Sequence, residues 1–151
     1  MMARATRLFG PDWDNRTGLA PHLYDRRRIS GPQLTDLYRS HIGVLNIRNE
    51  QNVIRGLNQR HFAPYIVETP VVSDPLGDIE HCFDPGKEIL VYRDAAELNQ
   101  MLVHLRTDPA RAQAIGLAGR RRVLAQHTYT HRVEAMALLA GIRPGRTGSP
   151  R

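Results

Sequence analysis

Glu88-Ile89-Leu90-Val91-Tyr92, followed at once by Arg93-Asp94-Ala95-Ala96-Glu97-Leu98, decides the fold class of this 151-residue chain. An aliphatic run of strand length, with no polar alternation, is the pattern of a strand covered on both faces. Asp94 with Glu97 three residues on is a helix-start pair, in which the leading carboxylate accepts from the backbone amide of the first turn. Leu98, Met101, Leu102 and Leu105 then recur at helical spacing. A buried strand that feeds a capped amphipathic helix is a βα unit, and such units build parallel sheets.

The same alternation extends outward in both directions. Upstream, Val71-Val72-Ser73-Asp74 reads as a strand entered through Thr69-Pro70, and Leu76 to Phe83 suits a short helix. His41 to Ile47 is apolar enough for another doubly covered strand. Before it, Ser30-Gly31-Pro32-Gln33 opens a helix whose Leu34, Leu37 and Tyr38 share a face. Thr6 to Phe9 reads as a strand closed by Gly10-Pro11, and Asp12 to Arg28 as a surface loop. Downstream, Asp108-Pro109 starts a helix with Ile115, Leu117, Val123 and Leu124 as core candidates. Thr130 is expected to cap a last helix that turns Val133, Met136 and Leu138 or Leu139 inward. The expectation is one Rossmann-like α/β domain over residues 1–140, with a parallel sheet and C-terminal helices, and a disordered tail over 141–151.

Composition narrows the function classes. No apolar run approaches the ~20 residues that span a bilayer, and no apolar stretch follows the charged N-terminus, as a secretory signal requires. Cys82 is the sole cysteine and cannot form an internal disulfide, which fits a reducing cytoplasm. The net charge of +6 raises the question of an anionic partner. Arg26-Arg27-Arg28 and Arg120-Arg121-Arg122, however, fan around a helix by about 100° per residue rather than forming one basic face, and aromatics do not interleave with them. A solvated surface is the expectation, without nucleic acid. His127 and His131 have a four-residue spacing but no glutamate after His127, so capping and packing are expected there and no metal. Neither G-x-G-x-x-G nor G-x-x-x-x-G-K-[ST] occurs. What remains are loops at the carboxyl ends of the strands, where open sheets bind ligands. In them Arg48, Arg55 and Arg60 have the charge to neutralise a diphosphate, and Gly56 has the small size to let the backbone approach one. No catalytic constellation emerges from spacing alone.

Gly56-Leu57-Asn58-Gln59-Arg60-His61-Phe62, Thr69-Pro70-Val71-Val72-Ser73-Asp74, Phe83-Asp84-Pro85-Gly86-Lys87-Glu88-Ile89-Leu90-Val91-Tyr92-Arg93-Asp94 and Gly119 through Arg132 follow one another in a specific order. Together with Leu8 to Trp13 and Leu37 to Asn46, this order resembles the C-terminal domain of CgeB-like (spore maturation protein type) glycosyltransferases. Those are relatives of the group 1 transferases with the two-domain GT-B fold, and the likeness covers Leu8 to Leu139. The resemblance implies that a nucleotide sugar lies against this domain, with no metal or other cofactor, the departing diphosphate being stabilised by helix N-termini and basic side chains. It makes Arg60 the diphosphate-side candidate and puts Asn58 and Gly56 in the same loop.

Two departures accompany the likeness. The family pattern runs Phe-Glu and reaches a glycine before the strand; here Ala63 follows Phe62, and Glu68 takes the glycine's place. Alanine offers no acceptor for a ribose hydroxyl. Either Glu68 turns in as a replacement acid, or the loop through Pro64 and Tyr65-Ile66-Val67 is remodelled. The chain also has no room for the acceptor-binding half. The implied partners are therefore a nucleotide sugar and either a separate N-terminal half or a second copy of the chain. The alternative is a non-catalytic remnant or interaction module, with an apolar patch around Trp13 and Leu19.

Overall fold

The structure, a computed structural model, describes residues 8–9, 24–25, 27–47 and 55–142. It is an α/β fold with parallel strands, in two compact units, Met1–Leu37 and Tyr38–Arg151. In the first unit β1 (Leu8–Phe9) pairs in parallel with β2 (Tyr24–Asp25), Leu8 opposite Tyr24 and Phe9 opposite Asp25. Strand β2 falls inside the stretch expected to be a loop; two residues are too few to display a period. Arg27 forks onto the Asp25 carboxylate just after it, with Nη2 2.6 Å from Oδ2. Helix α1 (Pro32–Arg39) begins at Gly31, whose φ of +56° suits glycine and whose carbonyl accepts from Leu34 and Thr35. Trp13, Leu19 and the tail from residue 143 lie outside the described residues.

The second unit is a Rossmann-like layer structure. Its sheet has the order β3 (Val44–Asn46), β4 (Val71–Ser73), β5 (Leu90–Val91), all parallel. Strand β4 is central and wholly buried. Its side chains alternate faces, as a pleated strand requires. Val71 joins Phe62, Tyr65, Ile79, Phe83, Ile89 and Val123 in one layer, while Val72 joins Leu90, Leu105, Ala112 and Ile115 in the other. Strand β3 is less covered than its composition suggests: Val44 and Leu45 are half-buried, and Ile42 and Ile47 are exposed. Two 3₁₀ turns, Gln59–His61 and Ala63–Val67, precede β4.

Helices α2 (Ile79–Cys82), α3 (Ala95–Thr107), α4 (Pro109–Gln126) and α5 (Tyr129–Leu139) complete the unit. Asp94 and Asp108 cap α3 and α4, each accepting from the backbone amide three residues on. Glu97 departs from a reciprocal box and accepts instead from the Arg93 amide and guanidinium. Helix α4 lies close to the second 3₁₀ turn because Gly116 and Gly119 face it. A Cβ at Gly116 would overlap the Glu68 carbonyl, and one at Gly119 would overlap the Tyr65 ring. Tyr65, fully buried, donates its hydroxyl to the Glu88 carbonyl. Burying side chains such as Tyr65, Phe83 and Ile89 contributes about 1.5–3 kcal/mol each. The half-exposed Arg120–Glu68 pair at 2.8 Å belongs to a class worth ~0–1 kcal/mol. Apolar contact therefore holds α4 down.

The last helix departs from expectation. Its cap is Thr128 rather than Thr130: Thr128 Oγ1 accepts from the His131 amide while His131 Nδ1 accepts from the Thr128 amide. Val133, Met136, Leu138 and Leu139 are 58%, 59%, 66% and 90% exposed, so none enters the core, and Leu124 on α4 is exposed as well. Apolar residues fall on every side of α5, so its sequence specifies no single buried face.

The close approach of α4 gives a paired test. Gly116→Ala is expected to destabilise the chain by about 3 kcal/mol, at the upper end of overpacking costs, because backbone must move. Gly56→Ala, whose Cβ would enter open space, should stay within ~0.5 kcal/mol of wild type. Urea denaturation followed by circular dichroism measures both.

Candidate functional site

Strands β3 and β4 both run apolar and end polar. Asn46 closes β3, Ser73 closes β4, and the two are register partners. Both are buried, as is His61, which enters between them from the first 3₁₀ turn. A polar group removed from water needs a partner, and these supply one another's. Asn58 Oδ1 accepts from the Arg60 amide at 2.9 Å and from Asn46 Nδ2 at 3.2 Å. The Asn58 amide donates to His61 Nδ1 at 3.2 Å, which makes Nδ1 the acceptor of a neutral ring. His61 Nε2 then carries the proton and donates to Ser73 Oγ at 3.1 Å, and Ser73 passes its own proton to the Asp74 carbonyl at 2.9 Å. Asn46 Nδ2 lies 2.8 Å from His61 Nδ1 and 3.0 Å from Nε2. Asn46 Oδ1 is the one buried side-chain atom among the described residues without a partner.

This tautomer limits the chemistry. His61 donates toward Ser73 and cannot act as its base, so the pair is not a nucleophile of the Ser–His kind. Burial holds the His61 pKa below the ordinary histidine value, and Arg60 pushes it the same way; the Asn58 backbone and Asp74 push it up less strongly. The cluster is a neutral brace that fixes the loop from Arg55 to His61 against the carboxyl ends of two parallel strands.

Of the four expected donor-site residues, the structure brings three together on that loop. Asn58 caps the turn. Gly56 is exposed, with open space where a Cβ would be and no left-handed φ, so the fold itself does not demand glycine there. Arg60 is exposed, and among the described residues its guanidinium makes no ion pair. Arg55 is drawn aside to Asp78 at 3.6 Å, and its carbonyl accepts from the Asp78 amide, which ties this loop to the one after β4. Arg48 and Gly10 to Trp13 lie outside the described residues.

Glu68 is placed elsewhere. It precedes β4, at the opposite end from Ser73, and its carboxylate meets Arg120 Nη1 at 2.8 Å. Its φ of +61° is left-handed, a conformation that costs a non-glycine residue about 1–2 kcal/mol. The glycine of the family pattern therefore answers a backbone need at this position. Glu68 does not turn in to replace an acid at Ala63, which lies in the second 3₁₀ turn.

The residues that spacing did not single out are Asn46, His61 and Ser73. The available signal was a polar residue closing each of two apolar strands. His127 and His131 have structural places. His127 donates through Nε2 to the Cys82 carbonyl, 3.0 Å away, and packs 5.5 Å from Phe62 and 5.8 Å from Phe83 between ring centroids. Arg132 stands 5.0 Å over the Phe62 ring. Among the described residues no group of three or more His, Cys, Asp and Glu side chains is arranged to hold a metal, and no helix is long and apolar enough to cross a membrane. A cavity of about 270 Å³ lies between α3 and α4, floored by Leu90, Leu105, Ala112 and Ile115. Of the acids at its rim, Glu97 holds Arg93 and Asp108 caps α4.

Burial depresses the pKa of both His61 and His127. The unfolded chain therefore takes up protons first as pH falls. Stability should be level above the ordinary histidine value near 6.5 and decline as pH drops from there to the folded values. Urea midpoints between pH 8 and 5 measure this. Ser73→Ala leaves the Nε2 proton of His61 without its acceptor and should cost about 1–3 kcal/mol at neutral pH, read by the same denaturation.

The comparisons agree with the fold. No curated protein matches the chain. A family model described as glycosyl transferase-like matches residues 2–137, most of its length and all of the strand-end site. The chain belongs to the glycosyl transferase-like family.

Proposed function

We propose that this chain is the nucleotide-sugar-binding half of a two-domain glycosyltransferase of the CgeB-like kind, active when an N-terminal half completes the cleft. One observation carries the reading. The Arg55–His61 loop is braced at the carboxyl ends of β3 and β4, and it presents Gly56 over open space and Arg60 with no ion pair among the described residues. Open parallel sheets bind their ligands at this end. In the reaction the bond from the anomeric carbon to the diphosphate oxygen breaks and one to the acceptor oxygen forms. The nucleoside diphosphate leaves with the negative charge, and the exposed Arg60 has the charge to stabilise it. The acceptor's proton goes to a base on the other half, since His61 is buried with both ring nitrogens engaged.

The same residues set limits on affinity. Ala63 gives a ribose hydroxyl no carboxylate, and a lost charged hydrogen bond of about 1.5–3 kcal/mol lowers affinity by one to two decades.

A second reading rests on α5. Its exposed Val133, Met136 and Leu139 suit a non-catalytic interaction module whose partner covers apolar surface.

Calorimetric titration with UDP, GDP, TDP and their sugars separates the two. The donor reading expects saturable binding that Arg60→Ala weakens at least tenfold and Gly56→Val impairs without loss of stability. No binding at millimolar ligand to a cooperatively folded sample would leave the interaction module.

A further inference from the structure

His61 is the point on which the proposed donor loop closes. Its ring is fully buried, and its neutral form satisfies two neighbours at once: it accepts from the Asn58 amide and donates to Ser73. A second proton would sit on Nδ1. There it meets two N–H donors, Asn58 N at 3.2 Å and Asn46 Nδ2 at 2.8 Å, which a charged ring repels. The nearest acceptor for that proton is the Asn58 carbonyl, 3.3 Å from Nδ1, which also accepts from the His61 amide at 3.0 Å. With Nδ1 protonated, the Asn58 amide loses its acceptor, which breaks the reciprocal cap that orders Asn58 and, through Asn58 Oδ1, the Arg60 amide.

The charged and titratable groups around the ring do not undo this. Asp74 after β4 favours the charged form and Arg60 on the same turn opposes it, while both act less than burial does. From β3 the ring meets the uncharged Asn46, and from β4 the uncharged Ser73.

We propose that His61 is a proton-operated latch on this loop: neutral, it locks Asn58 and Arg60 in place for an anionic ligand, and protonated, it releases them. The ligand part of the inference rests on the donor-site reading above; the latch itself rests on the hydrogen-bond geometry alone. Closed loop and bound ligand favour the same neutral ring, so proton uptake and ligand binding oppose each other. The apparent affinity follows the fraction of chains with the loop closed.

Two readouts test it. The first is hydrogen exchange of the Arg60 and His61 amides, corrected for intrinsic exchange, at pH 7.5 and 5. The latch requires their protection to fall at least tenfold in acid while amides of β4 keep theirs. In His61→Gln, whose carboxamide can donate to Ser73 but does not titrate, protection should not change with pH. The second is titration with UDP-glucose and GDP-mannose, whose diphosphates are esterified at both ends and so do not titrate in this range. Affinity should be constant above pH 6.5 and fall by up to tenfold per unit below the His61 pKa, with no such fall in His61→Gln. Equal protection at both pH values, or the same profile in His61→Gln, overturns the latch. Loss of protection in acid with no binding at any pH leaves the latch standing and removes the donor reading. Should His61→Gln fail to fold, Asn58→Asp keeps the Oδ1 acceptor for the Arg60 amide and adds a charge that favours imidazolium. That variant must move the loss of protection to higher pH.

Discussion

A neutral imidazole buried between the ends of two parallel strands is the constraint on which the candidate site depends. His61 takes a backbone amide on one nitrogen and gives a proton on the other, so a single ring fastens a loop to β4 and, through Asn46, to β3. Each bond is modest, about 0.5–1.5 kcal/mol net. Leaving any of the buried groups unpaired costs more than the bond contributes, and that asymmetry makes the arrangement specific. The loop it fixes is the one on which Gly56, Asn58 and Arg60 stand.

Beneath that brace the architecture is supported by apolar burial. Val71 and Val72 point to opposite layers of the sheet, and Gly116 and Gly119 allow α4 to lie against the turn that carries Tyr65 and Glu68. The strained backbone of Glu68 is held from both sides, by that contact and by Arg120. An acid there serves the packing of α4 against the start of β4. It is thereby removed from the ligand end of the same strand.

Much of this was legible in the chain. Asp94 and Asp108 announced two helices because capping chemistry is local, and Val71-Val72-Ser73 announced a strand because an aliphatic run between turns has few other uses. What local pattern cannot carry is the identity of the facing surface. Val133, Met136 and Leu139 are spaced like core residues, yet nothing among the described residues covers them. Tyr24-Asp25 is too short to show a period, and only its pairing with Leu8-Phe9 makes it a strand. At the site, Asn58 and Arg60 stand out through the family pattern, whereas His61 lies in the same motif with no local signal of its own. Its role depends on Asn46 and Ser73, 15 and 12 residues away in sequence.

The central claim is that the loop at the carboxyl ends of β3 and β4 receives a nucleotide sugar. Mapping amide chemical shifts during addition of UDP-glucose, with GDP-mannose in parallel, tests it most directly. The account predicts saturable shifts at Gly56, Asn58 and Arg60, extending to Ser73 and Tyr92, with α3 and α4 unmoved. Shifts confined to the cavity between α3 and α4, or none at millimolar ligand, would contradict it.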